Sequence, residues 1–150
     1  MIYRRLEQIG EAEFSQIAEL GEKFYHLSGF KGEFRPDTFS ETMNYLLKSG
    51  TAAMWIAIEE NRIVGAIGAV FHNHLFDAKL TVQVCFWLVD ALHRRQAGIA
   101  LFQVFMNWCQ EIGADRIMMA HLDLGDGNVG RFYEREGFKK VETIYMRELC

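Results

Sequence analysis

Residues 82–100 read Val-Gln-Val-Cys-Phe-Trp-Leu-Val-Asp-Ala-Leu-His-Arg-Arg-Gln-Ala-Gly-Ile-Ala, and no other stretch limits the fold as tightly. An apolar run of strand length passes through a short basic segment into a helical pattern that opens near Gly98. Ile99, Leu101, Phe102, Phe105, Met106, Trp108, Cys109 and Ile112 supply the apolar positions of that helix, and Gly113 fits its C-terminal cap. A strand that feeds a helix and then a further strand implies parallel neighbours in a mixed sheet. The first turns of such a helix leave N–H groups without intrahelical partners, and with the helix dipole they suit a phosphate. Gly98 and Ala100 are small enough for the backbone to approach a bulky anion, and Arg94 and Arg95 can add charge at its rim. An ordinary strand-to-helix connection would carry the same features, so spacing alone leaves both readings open.

The remaining elements fall around this unit. Residues 2–6 form a short strand. Apolar residues spaced by three and four from Glu11 to Tyr25 predict a helix, and the glycine-rich stretch from His26 to Arg35 reads as a loop. Pro36-Asp37-Thr38 starts a second helix that Ser49-Gly50 ends. Thr51–Glu59, Ile63–His72 and Leu80–Val89 then make an antiparallel meander, with Asn61 in the first turn. Arg116–Leu122 reads as a strand, Asp123–Gly127 as a loop and Val129–Glu136 as a short helix stopped by Gly137. Phe138–Val141 and Thr143–Leu149 read as two final strands. The order is βααβββαβαββ, in one α/β domain over residues 1–150.

Charge and cysteine usage exclude several classes of function. Sixteen basic against 20 acidic residues give a formal charge of −4, which removes any whole-molecule attraction to nucleic acid or anionic lipid. The sequence has no 18-residue apolar run and no signal-peptide pattern, so no membrane partner is expected. Cys85, Cys109 and Cys150 fit neither a disulfide framework nor a zinc spacing. The expectation is a cytoplasmic protein without a metal.

Two motifs make the reading specific. Arg95-Gln-Ala-Gly98-Ile-Ala100 matches R-x-x-G-x-G/A, and Asp126-Gly-Asn-Val-Gly-Arg-Phe-Tyr-Glu-Arg-Glu-Gly-Phe138 looks like N-x-x-A-x-x-F-Y-x-x-x-G-F. Together, in this order on these elements, they resemble the GNAT-type N-acetyltransferases over nearly the whole chain, most strongly over residues 82–149. The resemblance implies a mixed, partly splayed sheet flanked by helices, acetyl-CoA as cosubstrate and an amine as acceptor, taken from small molecules or peptides. It implies that the amides of Gln96, Ala97, Gly98, Ile99 and Ala100, with Arg94 and Arg95, cradle the pyrophosphate. Leu88 and Val89 would pair with the pantetheine amides, and an N–H near Val89 would hold the thioester oxyanion. Tyr133 would protonate the departing thiolate, with Phe132 packed beside the cosubstrate.

The sequence departs from the family pattern in three places. Val89-Asp-Ala91 stands where V-x-P is usual, and the distance to Arg95 is one residue longer. Asp126 occupies the asparagine position, while Asn128 lies two residues later; either could cap the helix and face the cosubstrate. Gln83, Val84 and Cys85 lie where many members carry a glutamate, so no general base is encoded at the usual place. A non-catalytic acyl-CoA-binding module with the same fold is therefore the alternative function.

Other candidates carry blander readings. Cys85 sits in an apolar run and is expected as a buried small hydrophobe. His72 and His74 lack a third ligand and read as surface residues. His121 is expected on a buried strand. Asp77, Glu33 and His26 lie in the loops that face the acceptor in this architecture. Phe30, Phe34, Phe71 and Phe76 would line an acceptor pocket, close the core or meet a second subunit. A homodimer is expected from the many aromatic and methionine side chains and the apolar final strands.

Overall fold

The computed structural model describes residues 1–122, 125 and 127–149. Its sheet has five strands in sequence order: β1 (Ile2–Leu6), β2 (Ala52–Glu59), β3 (Arg62–Asn73), β4 (Leu80–Val89) and β5 (Arg116–Met118). The first three junctions are antiparallel and the last is parallel. The long apolar strands β2–β4 follow from burial on both faces, since alternate residues enter different cores. Ala53, Trp55 and Ala57 pack beneath α3 (Ile99–Glu111), against Leu101, Phe105 and Trp108. Ala52, Met54 and Ile56 face α1 (Glu11–Ser28) and α2 (Pro36–Lys48), against Ile17, Leu20 and Met43. A short helix, α4 (Asn128–Arg135), lies beyond β5 in the chain.

A β-bulge in β4 changes which residues face which core. The register passes from Gly68↔Phe86 to Ala69↔Val84, which leaves Cys85 without a partner on β3. Val82 and Val84 lie beneath α3. Unbroken alternation would send Phe86 and Leu88 to the same side. Instead they enter the core under α1 and α2, while Trp87 and Val89 turn toward α3. Cys85 is the extra residue and is exposed, contrary to the buried position expected of it. The surrounding protein still pushes its thiol pKa upward, away from the thiolate that a nucleophile needs.

Four further expectations are corrected. Helix α1 runs on to Ser28 and is ended by Gly29 at φ +74, so it absorbs the start of the expected loop. Helical winding before α3 does not begin near Gly98: a 3-10 turn over Ala91–His93 and a wide π-type turn over Arg94–Gly98 precede it. The strand expected over 116–122 stops at Met118, and His121 is exposed rather than buried on a strand. Residues 138–149 carry no strand, and Val141, Ile144, Tyr145, Met146 and Leu149 are exposed along them. Their apolar pattern satisfies a strand only where a partner edge covers it.

Candidate functional site: an open strand edge beside a wide turn

Strand β5 pairs with β4 only from Thr81 to Gln83, opposite Arg116–Met118. Beyond that point, among the described residues, no strand covers this edge of β4 from Val84 to Val89. This is the splay of the sheet. The Asp90 N–H donates to the Val64 carbonyl at 2.8 Å. Along the regular register Val89↔Gly65, Leu88↔Ala66, Trp87↔Ile67, antiparallel alternation sends the Leu88 amide toward β3 as well. The backbone groups of Trp87 and Val89 therefore point to the open edge. An extended amide chain laid there meets donors and acceptors spaced as in a strand.

The wide turn closes one end of this edge. The Asp90 carboxylate accepts the Leu92 N–H at 3.0 Å and starts the 3-10 turn. Arg94, Arg95 and Gln96 are exposed, Ala97 and Gly98 are buried, Ala100 is half-buried, and Ile99 is 47% exposed. The Cα of Gly98 faces inward: an added Cβ would meet Val89 Cγ2 at 3.6 Å and Trp87 Cζ2 at 3.8 Å. The absence of a side chain thus leaves room on the β4 side of the turn, while the two arginines project on the outside.

Aromatic rings form the opposite wall. Trp87 lies 5.8 Å from Phe132, 5.8 Å from Phe102 and 6.3 Å from the stacked ring of Tyr133 (centroid distances). Tyr133 is buried, its hydroxyl donates to the Ala120 carbonyl at 2.9 Å, and burial pushes its pKa up to about 12. The phenol therefore keeps its proton throughout the physiological range. Among the described residues, Trp87 carries the one buried side-chain polar atom without a partner. Its indole N–H is shielded from solvent and has no hydrogen-bond partner. A buried donor left without a partner costs about 1–3 kcal/mol. Sequence reasoning missed Trp87, because only the bulge at Cys85 turns it toward this site.

The other sequence candidates scatter. Asn128 is the first residue of α4 and does not cap it; Gly127 holds that position at φ +66. The Asn128 Oδ1 accepts from Arg131 Nη2 at 2.6 Å. Asp126 lies outside the described residues. Asp77 is engaged by a two-contact ion pair with Arg116, which ties the β3–β4 loop to β5. His26 sits 3.8 Å from Glu22 on α1. The four phenylalanines do not form one cluster: Phe30 and Phe34 gather around Tyr25, Phe71 packs on Trp108, and Phe76 is exposed beside His74. Among the described residues, no group of three or more His, Cys, Asp or Glu could hold a metal ion. No described helix is long and apolar enough to cross a membrane.

An α/β sheet splayed after its fourth strand, with a helix N-terminus beside the splay, is the architecture of the acyl-CoA-dependent acetyltransferases. The family model "Acetyltransferase (GNAT) family" matches residues 15–138, and the chain belongs to that family. Solved structures share the fold across both chains. An aminoglycoside acetyltransferase from an uncultured soil metagenomic sample is 20% identical, with TM-score 0.75 over 99% of this chain and 96% of that one. A ribosomal-protein-alanine N-acetyltransferase from Brucella melitensis biovar Abortus 2308 is 16% identical, with TM-score 0.71 over 99% and 100%. A predicted acetyltransferase with acetyl-CoA from Clostridium acetobutylicum is 15% identical, with TM-score 0.76 over 99% and 96%. At these identities the likeness is one of fold. No curated protein matches the sequence.

Proposed function

We propose that this acetyltransferase moves an acetyl group from acetyl-CoA to a primary amine by direct attack. The observation that carries the reading is the open edge of β4, with the backbone of Trp87 and Val89 facing it, between the Arg94–Gly98 turn and Tyr133. Arg94, Arg95 and the amides of the Gln96–Ala100 segment, apart from the Ile99 N–H that donates to the Gln96 carbonyl, would hold the pyrophosphate. The backbone of Trp87 and Val89 would pair with the pantetheine amides, in place of the expected Leu88, whose backbone turns to β3 and whose side chain is buried under α1 and α2, and Phe132 would line the thioester end. The amine nitrogen adds to the thioester carbonyl, and the Val89 N–H stabilises the oxyanion. The C–S bond then breaks, the Tyr133 O–H turns from the Ala120 carbonyl to give the sulfur its proton, the attacking nitrogen loses one to water, and solvent returns a proton to the phenolate. Gln83 and Cys85 are exposed on β4 and neither is a carboxylate, so solvent is the base in this scheme.

The domain spans residues 1–150, works in the cytoplasm, and pairs as a homodimer through the exposed apolar residues of 141–149. Acetyl-CoA with a panel of amino acids, polyamines, aminoglycosides and peptide N-termini tests the activity. Release of CoA that depends on one amine class supports it. Saturable binding without release from any amine would make the chain an acyl-CoA-binding module instead.

A further inference from the structure

His93 stands between two carboxylates from different parts of the chain. Its Nε2 lies 2.7 Å from Glu59 Oε2 at the end of β2, and its Nδ1 lies 3.3 Å from Asp90 Oδ1. The same Asp90 oxygen accepts the Leu92 N–H, and the Asp90 backbone is held by Val64 on β3. The imidazole therefore ties the β2–β3 hairpin to the first turn after β4. The very next residues, Arg94–Gly98, form the wide turn.

We propose that His93 is a positioning residue for the cosubstrate: it fixes the Arg94–Gly98 turn through the Glu59–His93–Asp90 bridge, and the bridge tightens when the imidazole is protonated. The inference rests on the reading that this turn binds the pyrophosphate. A neutral imidazole has one N–H and can donate to only one of the two carboxylates, leaving a ring lone pair against the other. An imidazolium donates to both. The Leu92 amide holds the Asp90 carboxyl below the usual range, so Asp90 stays an acceptor. The cavity of about 220 Å³ beside the ring also takes Glu19 and Lys23 from α1, and Glu60 and Arg62 from the β2–β3 turn. These four, with Glu59 and Asp90, are the charged groups that line the cavity with His93. Glu19 and Lys23 are 2.9 Å apart and pair with each other, which leaves the bridge itself to Glu59 and Asp90.

Calorimetric titration of acetyl-CoA at about pH 5.5 and about pH 8.5, a span over which histidine is the side chain that changes charge, tests this. The proteins are the wild type, His93→Gln and Glu59→Gln, each checked by thermal melting. The ligand's own phosphates titrate equally against all three, so the readout is the affinity ratio between the two pH values relative to His93→Gln. We expect the wild type to gain about three- to tenfold at low pH over His93→Gln, the net size of one ordinary intramolecular hydrogen bond. Glu59→Gln should lose the same gain from the far end of the bridge. With an acceptor in hand, KM for acetyl-CoA should rise in both variants while kcat changes little. Equal pH ratios in wild type and His93→Gln would overturn the proposal, as would a loss confined to kcat. If His93→Gln does not fold, Glu59→Gln alone decides by the same ratio against the wild type. A wild type that fails to bind at either pH overturns the cosubstrate reading and this inference with it; a wild type that binds with no such ratio overturns this inference alone.

Discussion

Gly68 on β3 and Phe86 on β4 lie opposite each other so closely that a Cβ on Gly68 would come within 3.0 Å of three atoms of the Phe86 ring. The ring cannot swing away: it is 8% exposed and packs edge-on against Phe39 at 5.3 Å. It is also the first residue past the bulge.

Gly68→Ala should therefore destabilise the fold by about 1–3 kcal/mol, the cost of overpacking a filled core. Denaturant unfolding measures it. The double variant Gly68→Ala with Phe86→Leu should recover part of the loss, because the two residues share one space. Additive effects would mean that the ring has another place to go.

Gly98 has the opposite expectation. Its backbone is helical (φ −62, ψ −52), and an added Cβ would sit at ordinary contact distance from Val89 and Trp87. Gly98→Ala should gain about 0.5–1 kcal/mol from helix propensity and keep acetyl-CoA affinity within about threefold. Gly98→Glu would drive a carboxylate toward Trp87 and add negative charge beside the pyrophosphate. At least a tenfold loss of affinity is expected, about 1.4 kcal/mol. Calorimetry with a thermal melt of each variant checks both; an unchanged affinity in a folded Gly98→Glu would move the pyrophosphate elsewhere.

Tyr133→Phe removes one hydroxyl and keeps the stacked ring. It should lower kcat by about ten- to a hundredfold, at the low end of general acid catalysis, with acetyl-CoA affinity within about threefold. Since burial lifts the phenol to about 12, kcat should show no alkaline limb from Tyr133 below that pH. Stability follows with a definite sign. The folded pKa lies above the unfolded value of 10.0, so the contribution is complete below about pH 10 and lost as pH rises toward 12. It is on the order of 2–3 kcal/mol. Cys109, lifted from 9.0 to about 12 in the core, acts in the same direction from a lower starting pH. Unfolding free energy against pH should thus decline above about pH 9, and less steeply in Tyr133→Phe.

Assembly has a direct readout. Ile144 and Tyr145 are 75% and 92% exposed. Sedimentation should show a species of twice the 17.4 kDa chain mass, as expected for a two-fold pair. Tyr145→Asp should shift it toward monomer. A wild-type monomer at high micromolar concentration would reject the dimer.

The helices and the meander were legible because helical spacing and continuous apolar runs are local signals. The three- and four-residue spacing of α1 and the apolar runs of β2 and β3 need no distant information. Trp87 was not legible because a bulge at Cys85 slips the two-residue period by one. The final strands failed differently. Residues 138–149 have the apolar content of strands, but pairing is a property of two segments, and no described segment lies beside them in register. At the site, Gly98 and Tyr133 stood out through their motifs. Glu59, 34 residues before His93, had no signal that could have joined them.

The wide turn over Arg94–Gly98 has a consequence for how the chain tolerates changes in length. A π turn takes one residue more than an α turn, and the sequence between Val89 and Arg95 is one residue longer than the family pattern. The surplus is coiled into the pitch of the helix, so β4 still ends at Val89 and α3 still starts at Ile99. The turn works as slack. A single-residue deletion between His93 and Gly98 would tighten it to an α turn and leave both anchors in place. The same deletion in the regular part of β4, at Trp87, would move Leu88 and Val89 to the opposite faces. Tolerance to insertion and deletion in this stretch is therefore set by which element can change its pitch, rather than by distance from the chemistry.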